Sequence, residues 1–131
     1  MLPKFRAWDK LKKDMSEVEC ISFVDNKVYT TFNSSKKLYI PMEEAVLMQS
    51  TGLFDKNGVE IYEGDIVKVT DDYGDTDFSD GGIGTICGLT DLYMWYIDGQ
   101  VHNGLYDTDQ FYYIEVIGNI YENKEVWEAS K

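Results

Sequence analysis

The chain has very few of the side chains on which most catalytic and metal sites depend. Its 131 residues include one histidine, His102, and two cysteines, Cys20 and Cys87. A structural zinc ion needs about four ligands, most often cysteine and histidine, so we expect no metal site of this kind. A Cys87–His102 or Ser–His pair with Asp107 can be drawn, but no Gly-x-Ser-x-Gly elbow orients a nucleophile. We therefore predict a protein that is not an enzyme and uses no cofactor.

Long apolar runs and a disulfide framework are also missing. No apolar segment approaches the roughly 20 residues that a membrane-spanning helix needs. The first nine residues carry charges where a signal peptide requires an apolar stretch. Two widely separated cysteines do not make a disulfide framework, and we expect Cys20 and Cys87 to be buried thiols. These absences predict a cytoplasmic protein that does not contact a membrane.

Basic residues are scarce and concentrated at one end of the chain, whose formal net charge is −12. Residues 1–37 hold eight of the twelve lysines and arginines against five acids, and the rest carries a net charge of −15. Duplex nucleic acids are bound by neutralising phosphates with Lys and Arg, so we expect no direct nucleic-acid binding. The basic segment could pack against an acidic surface of the same chain or of a neighbour, or both could simply be solvated.

The segment between Lys68 and Lys124 is acidic and contains no lysine or arginine. Its five aspartates at residues 71–80 could hold a hard cation, but they lack the order of ligands in an EF-hand. We favour a solvated loop there over a Ca²⁺ or Mg²⁺ site. The carboxylates of residues 71–109 also suggest a second hypothesis, in which the protein mimics DNA and occupies a nucleic-acid-binding protein of a host.

Strand-forming sequence dominates the first half of the chain. Residues 18–24 and 28–32 are rich in β-formers and predict a hairpin about a turn at residues 25–27. Residues 10–17 are charged and are predicted to be a loop. A third strand at residues 38–40 should end at Pro41. The apolar spacing of residues 42–49 allows a short helical turn followed by a strand.

The second half alternates short strands with glycine-containing turns. The segment Asp55–Gly58 is a strong turn signal, because Asn and Gly accept positive φ at little cost. Further strands are predicted at residues 59–62, 66–69, 84–88, 93–97 and 112–117, with a turn at Asp98-Gly99 and one or two helical turns after Glu122. This pattern predicts a mainly β fold with minor α. Residues 1–58 would form an N-terminal β-hairpin lobe, and residues 59–131 a small SH3-like barrel with a short C-terminal helix.

Aromatic residues cluster in the predicted strands of the second half, at positions 93, 95, 96, 111, 112 and 113. Because neighbours along a strand face opposite sides, some of them must leave the core face. Outward aromatics are typical of protein interfaces, although a second layer of the same chain could cover them instead. Together with two residues near the N-terminus, we predict the partner contacts Arg6, Trp8, Tyr93, Trp95 and Tyr112.

Three stretches of the chain, residues 5–9, 47–67 and 115–123, carry distinctive motifs. In this order they resemble the opening motif, the central signature and the closing motif of the YopX family of phage and prophage proteins. The resemblance implies a small cytosolic, largely β protein that self-associates and is encoded by phages of low-GC Gram-positive bacteria. It implies no activity and no catalytic residue. The motif glycines suit turns, an entry bend at Gly64-Asp65 and a bulge at Gly118-Asn119, so the motifs either specify the fold or form a shared binding surface.

These observations lead to one main hypothesis about function and two alternatives. We predict a non-enzymatic phage accessory protein that binds a host or phage protein and works as a homo-oligomer. The DNA mimic is the first alternative. The second is an enzyme of unrecognised type, whose sign would be a deep pocket containing His102 or a carboxylate with a strongly perturbed pKa.

Overall fold

The computed structural model describes residues 4–31, 39–69, 82–88, 95–99, 103–104 and 114–129. The strands are β1 (Phe5–Asp9), β2 (Asp14–Ser22), β3 (Lys27–Thr30), β4 (Tyr39–Pro41), β5 (Ala45–Phe54), β6 (Glu60–Tyr62), β7 (Asp65–Val69), β8 (Gly82–Cys87), β9 (Tyr96–Gly99), β10 (Asn103–Gly104) and β11 (Ile114–Asn119). A 3₁₀ turn at Met42–Glu44 and one helix, α1 (Lys124–Ala129), complete the described elements. The predicted mainly β fold with minor α is confirmed.

The chain divides into two compact units, Met1–Ser50 and Thr51–Lys131. Among the described strands, one sheet has the order β4-β3-β2-β1-β5-β6 and the other β10-β9-β8-β7-β11. The strand pairs with a defined register are antiparallel. The predicted lobes, 1–58 and 59–131, differ from these units by a few residues, and the division into lobes stays a prediction.

The first unit begins with a β1–β2 hairpin where a loop was predicted at residues 10–17. The buried carboxylate of Asp9 accepts hydrogen bonds from the backbone N–H groups of Leu11 and Lys12, at 3.0 and 3.1 Å. Lys13 then closes the turn with a positive φ of 57°. The loop prediction was wrong for Asp14 onward, because a short side-chain-capped turn leaves those residues free to pair with β1.

A β-bulge divides β2 into two pairing halves. The first half pairs with β1 and the second half with β3, and the register shifts between Val18 and Cys20. A bulge bends its strand, which suits a core that combines Ala7 of β1 with Val28 of β3 and Ile40 of β4. The strand that ends at Pro41 and the short helical turn before β5 are confirmed. The predicted hairpin is present, but its turn lies at residues 23–26 and not at residues 25–27.

The same bulge explains why the predicted burial of Cys20 was wrong. Strict alternation would put Val18 and Cys20 on one face of β2. The register shift instead places Ile21 opposite Val28, which is buried in the core, and Cys20 opposite Tyr29. Cys20 is consequently exposed, and Cys87 is half-buried; both are free thiols.

The second unit has a core of branched side chains from five strands. Its members are Ile61, Val67, Ile86, Ile97 and Ile114, none more than 2% exposed. The strands β7, β8, β9 and β10 follow one another across the sheet, and β11 returns to lie beside β7. No pairing among the described residues closes this sheet into a barrel, so the SH3-like barrel stays a prediction.

Two predictions for the second unit have clear outcomes. The turn predicted at Asp98-Gly99 was wrong, because both residues belong to β9 and lie opposite Thr85 and Gly84 of β8. Gly99 has a φ of 151° within the strand, a conformation that glycine tolerates because it has no Cβ atom. The short C-terminal helix is confirmed as α1.

Candidate functional site

The face of β1 opposite the core of the first unit carries two of the predicted contact residues. Ala7 is fully buried in the core of the first unit, so Arg6 and Trp8 project from the opposite side of the strand. Trp8 lies directly opposite Met15 of β2 and Val46 of β5. These three side chains are half-buried and form an apolar row across three strands.

Arg6 occupies the next position along the same face. It lies directly opposite Glu17 of β2 and Met48 of β5. Glu17 is exposed and Met48 is 2% exposed. We call Arg6, Trp8, Met15, Glu17 and Val46 the Arg6–Trp8 face, since Met48 is buried. An apolar row beside an oppositely charged pair suits contact with a protein surface.

The other predicted contact residues belong to the second half of the chain. Trp95 is half-buried and packs against the core of the second unit. Its ring lies 3.5 Å from the position that a Cβ atom on Gly88 would take. Trp95 therefore contributes to packing. Tyr93 and Tyr112 lie outside the described residues, as do His102 and the aspartates of residues 71–80. The described structure thus brings only Arg6 and Trp8 together.

The β2–β3 turn exposes an apolar pair that the sequence placed inside a strand. Phe23 is 77% and Val24 is 95% exposed. The turn is fixed by Ser22, whose hydroxyl donates to the Asp25 carboxylate and accepts from the Asp25 backbone N–H, both at 3.2 Å. Asn26 has a positive φ of 54°. The Ser-x-x-Asp spacing was the available signal that the turn begins before Phe23.

A shallow depression adjoins this turn. It is lined by Asn26, Pro41, Met42 and Glu43. The backbone N–H of Met42 donates to the carbonyl of Asn26 at 2.8 Å, and this hydrogen bond holds the 3₁₀ turn that lines the depression next to the β2–β3 turn. We call these four lining residues the Met42 depression, and Phe23 and Val24 the Phe23–Val24 tip.

The β1–β2 turn also exposes a large apolar side chain, in a different charge setting. Leu11 is 70% exposed. Its neighbours Lys10, Lys12 and Lys13 are all exposed as well. This tip combines one apolar side chain with three exposed lysines.

The polar residues of the central signature have structural roles. Asp55 is 6% exposed, and its Oδ1 atom accepts from the backbone N–H groups of Asn57 and Val59, each at 2.8 Å. Its Oδ2 atom accepts from the N–H of Val116 at 2.9 Å. Asp65 is 1% exposed and accepts from the N–H of Tyr62 at 2.8 Å. These carboxylates satisfy buried backbone donors and hold the turns that flank β6.

The closing motif is organised in the same way. The register of β11 shifts between Val116 and Gly118, which confirms the predicted bulge. The Asn119 Oδ1 atom accepts from the N–H groups of Tyr121 and Glu122, at 3.0 and 2.8 Å. The Asn123 Oδ1 atom accepts from the Asn119 N–H at 3.1 Å. These contacts support the interpretation that the motifs specify the fold.

In the part of the chain that the structure describes, no group of three or more histidine, cysteine or acidic side chains could hold a metal ion. No described helix combines the length and apolar character needed to cross a membrane.

The antiparallel sheets and the turn-forming motif residues define a small β protein whose signature is structural. The family model described as YopX protein matches residues 4–128. The chain therefore belongs to the YopX family, and the resemblance of its three motifs is confirmed.

A similar solved structure is the crystal structure of protein EF1440 from Enterococcus faecalis. It shares 29% sequence identity with this chain at a TM-score of 0.68, over 97% of this chain and 99% of that chain. No curated protein matches the chain. The two matching descriptions name no activity, ligand or partner, so any function has to be argued from the geometry.

Proposed function

We propose that this YopX family member is a non-enzymatic accessory protein of a phage or prophage. It binds other proteins, including further copies of itself, in the cytoplasm of the host cell. The observation that carries the proposal is a contrast between two sets of side chains. The buried carboxylates of the motifs accept backbone hydrogen bonds, whereas Leu11, Phe23 and Val24 expose 70% or more of their surface.

Exposed apolar side chains are informative here because they occur on ordered turns. A single exposed apolar residue is common on soluble proteins and needs no explanation. The consecutive pair Phe23 and Val24 is less ordinary, since both protrude from a turn fixed by side-chain hydrogen bonds. In the second unit Phe54 and Val59, 53% and 47% exposed, flank the Asp55 turn. Aromatic and aliphatic side chains of this kind supply the central contacts of protein interfaces.

The Arg6–Trp8 face is the second element of the proposal. Its apolar row of Trp8, Met15 and Val46 gives a partner a surface to bury. Arg6 and Glu17, opposite each other on the neighbouring row, would orient that partner by charge. Arginine and tryptophan are the residue types most enriched among energetically dominant interface contacts.

Light scattering after size-exclusion chromatography tests the proposal. The full chain, run from micromolar to millimolar concentration, is expected to show a mass of at least two chains that rises with concentration. Trp8→Ala is expected to weaken the retention of a purified host or phage partner. The matched control is Lys12→Ala, in the lysine-rich β1–β2 turn. A monomer at every concentration that also retains no host or phage protein would contradict the proposal.

The DNA-mimic alternative is supported by one observation on the sequence. Eleven acidic residues, and no lysine or arginine, lie between Lys68 and Lys124. A protein that presents such carboxylates to a nucleic-acid-binding partner should release it as salt is raised. Capture of a host DNA-binding protein at low salt and its release at high salt would favour this alternative. Binding that is indifferent to salt would count against it.

We also propose that the sheet of the second unit closes as an SH3-like barrel. The support is its strand order, in which four strands follow one another and β11 returns beside β7. A crystal structure of the full chain would test this closure directly.

A further inference from the structure

The β2–β3 turn is an apolar projection whose backbone is held by hydrogen bonds of a side chain. The Ser22 hydroxyl donates to the Asp25 carboxylate and accepts from the Asp25 backbone N–H, both at 3.2 Å, and Asn26 has a φ of 54°. Between them stand Phe23 and Val24, 77% and 95% exposed. Because the turn is already ordered, burying these two side chains against a partner costs little additional conformational entropy.

A shallow depression with a mixed polar and apolar lining lies next to it on the same unit. The Met42 depression shares Asn26 with the turn, and its other lining residues in the described part of the chain are Pro41, Met42 and Glu43. Methionine is a flexible and polarisable side chain that adapts its shape to an inserted group. The Tyr39 ring, 38% exposed on the edge strand β4, extends the apolar surface beyond Pro41.

A surface with a projection and a depression side by side can pair with a second copy of itself. In a two-fold interface the same patch is used by both subunits, so residue i of one contacts residue j of the other and the reverse. Such a rotation would bring the Phe23–Val24 tip of each copy to the Met42 depression of the other. A patch with only a projection, or only a depression, cannot pair in this way.

The charges distinguish this patch from the other exposed turn. The surroundings of the Phe23–Val24 tip carry both signs, with Asp25 and Glu43 exposed and the Lys27 Nζ atom 4.5 Å above the Tyr39 ring. In the two-fold pairing, Asp25 beside each tip would face Lys27, of opposite charge, as well as Glu43, of the same charge. The β1–β2 turn holds Lys10, Lys12 and Lys13 around Leu11, so a two-fold pairing of that turn would bring like charges together.

We infer that the Phe23–Val24 tip and the Met42 depression together form a two-fold interface with a second copy of this chain. This inference rests on the proposed self-association and names the surface that mediates it. The occupant of the depression is the apolar tip of the other copy, and Glu43 and Lys27 lie at its polar rim.

Sedimentation of the full chain with single substitutions at the tip tests the inference. Phe23→Ser and Val24→Ser are each expected to raise the dissociation constant of the dimer by about tenfold or more, as truncation of a central interface residue does. Leu11→Ser is the matched control, since it removes an equally exposed apolar side chain from the other turn, and it is expected to leave the constant unchanged. Circular dichroism checks that each variant is folded, and the 95% exposure of Val24 makes its substitution safe for the fold.

Disulfide trapping gives a second, independent measurement. On a Cys20→Ser background, which removes the exposed native thiol, Val24→Cys and Glu43→Cys proteins are mixed and oxidised. The inference predicts a covalent heterodimer joined through positions 24 and 43. A mixture of Leu11→Cys with Glu43→Cys is the control and should give none.

The outcomes separate the inference from the proposed function. A dimer that Phe23→Ser and Val24→Ser weaken, and that Leu11→Ser does not, supports both. A dimer that is unaffected by the tip substitutions and gives no trapped heterodimer overturns the inference and leaves self-association standing. A wild-type chain that is monomeric at every concentration overturns the inference together with the proposed self-association.

Discussion

The side chain of Asp55 accepts a hydrogen bond from the backbone N–H of Val116, 61 residues further along the chain, at 2.9 Å. The other carboxylate oxygen accepts from the N–H groups of Asn57 and Val59. One buried carboxylate thereby closes the turn between β5 and β6 and ties that turn to β11. The N–H of Lys56 donates to the carbonyl of Ile114 at 3.0 Å and strengthens the same connection.

Asp55→Asn is expected to destabilise the protein almost as much as Asp55→Ala. Both carboxylate oxygens act as acceptors, so the amide group of Asn turns an N–H donor toward one of the backbone donors. Hydrogen bonds to a charged group contribute about 1.5–3 kcal/mol each, and a buried donor left unsatisfied costs about 1–3 kcal/mol. We expect a loss of roughly 3 kcal/mol in the free energy of unfolding, measured by urea denaturation.

Lys56→Ala is the matched control for this prediction. Lys56 is the next residue in the same turn, and its ammonium lies 3.7 Å from the carboxylate of Glu115, with both side chains partly exposed. Such pairs contribute about 0–1 kcal/mol. If Lys56→Ala cost as much as Asp55→Asn, the carboxylate would not be the dominant contact of this turn.

Gly118→Ala is expected to disrupt the turn that follows β11. A Cβ atom there would lie 2.6 Å from Cγ and 2.9 Å from Cβ of Asn123. Asn123 would have to move and release the N–H of Asn119, which donates to it at 3.1 Å. Overpacking of this kind costs about 1–3 kcal/mol.

A double-mutant cycle with Asn123→Gly checks the cause. Removing the Asn123 side chain leaves room for the added methyl group, so the double variant should be more stable than the sum of the single losses predicts. Additivity within about 0.5 kcal/mol would show that the two positions do not interact.

Gly99→Ala is expected to separate β8 from β9 and to disturb the contact with α1. Gly99 lies opposite Gly84, and a Cβ atom on it would approach the Gly84 Cα at 2.9 Å and the Trp127 ring at 3.0 Å. We expect a loss of about 2 kcal/mol and a red shift of tryptophan emission as Trp127 is displaced. Gly58→Ala is the control: its φ is 81° but nothing lies within 4 Å, so only strain of about 1–2 kcal/mol applies and the emission should not change.

The two thiols are expected to react at very different rates with a thiol-specific reagent in the folded protein. Cys20 is exposed, whereas Cys87 is half-buried with its Sγ atom 3.8 Å from the Oγ1 atom of Thr85. One equivalent should react rapidly and the second slowly until the protein is unfolded, because access governs the rate. Cys20→Ser should remove the rapid phase. Equal rates for both thiols in the wild-type protein would contradict the bulge-induced exposure of Cys20.

Local signals in the sequence predicted much of the second unit and the middle of the first. Asn57-Gly58 marked a turn, Pro41 ended a strand, and the β-branched run before Val69 was a strand, because each depends on neighbours close in the chain. The pairing of Asp14 onward with β1 was missed, because its charged residues look like a loop when the partner strand is unknown. Asp98-Gly99 was misassigned for the same reason.

The candidate surfaces were predicted less well than the strands. The predicted contacts Arg6 and Trp8 share one face of β1, while Trp95 packs against a core. The exposure of Phe23 and Val24 was not predicted, because both lie in a β-rich run of the sequence, although the Ser22–Asp25 spacing marked the turn. Burial depends on what the rest of the chain brings to a residue, and periodicity alone does not contain that information.

The sequence by itself determined the family, the β class, the small number of reactive side chains and the positions of the glycine turns. These follow from composition and from conformational preferences of a few adjacent residues. Only the tertiary structure decided that Asp55 serves a donor on β11, that a bulge in β2 exposes Cys20, and that an apolar tip stands beside the Met42 depression. Each of these depends on contacts or registers between segments distant in sequence, which the free energy of the whole fold selects.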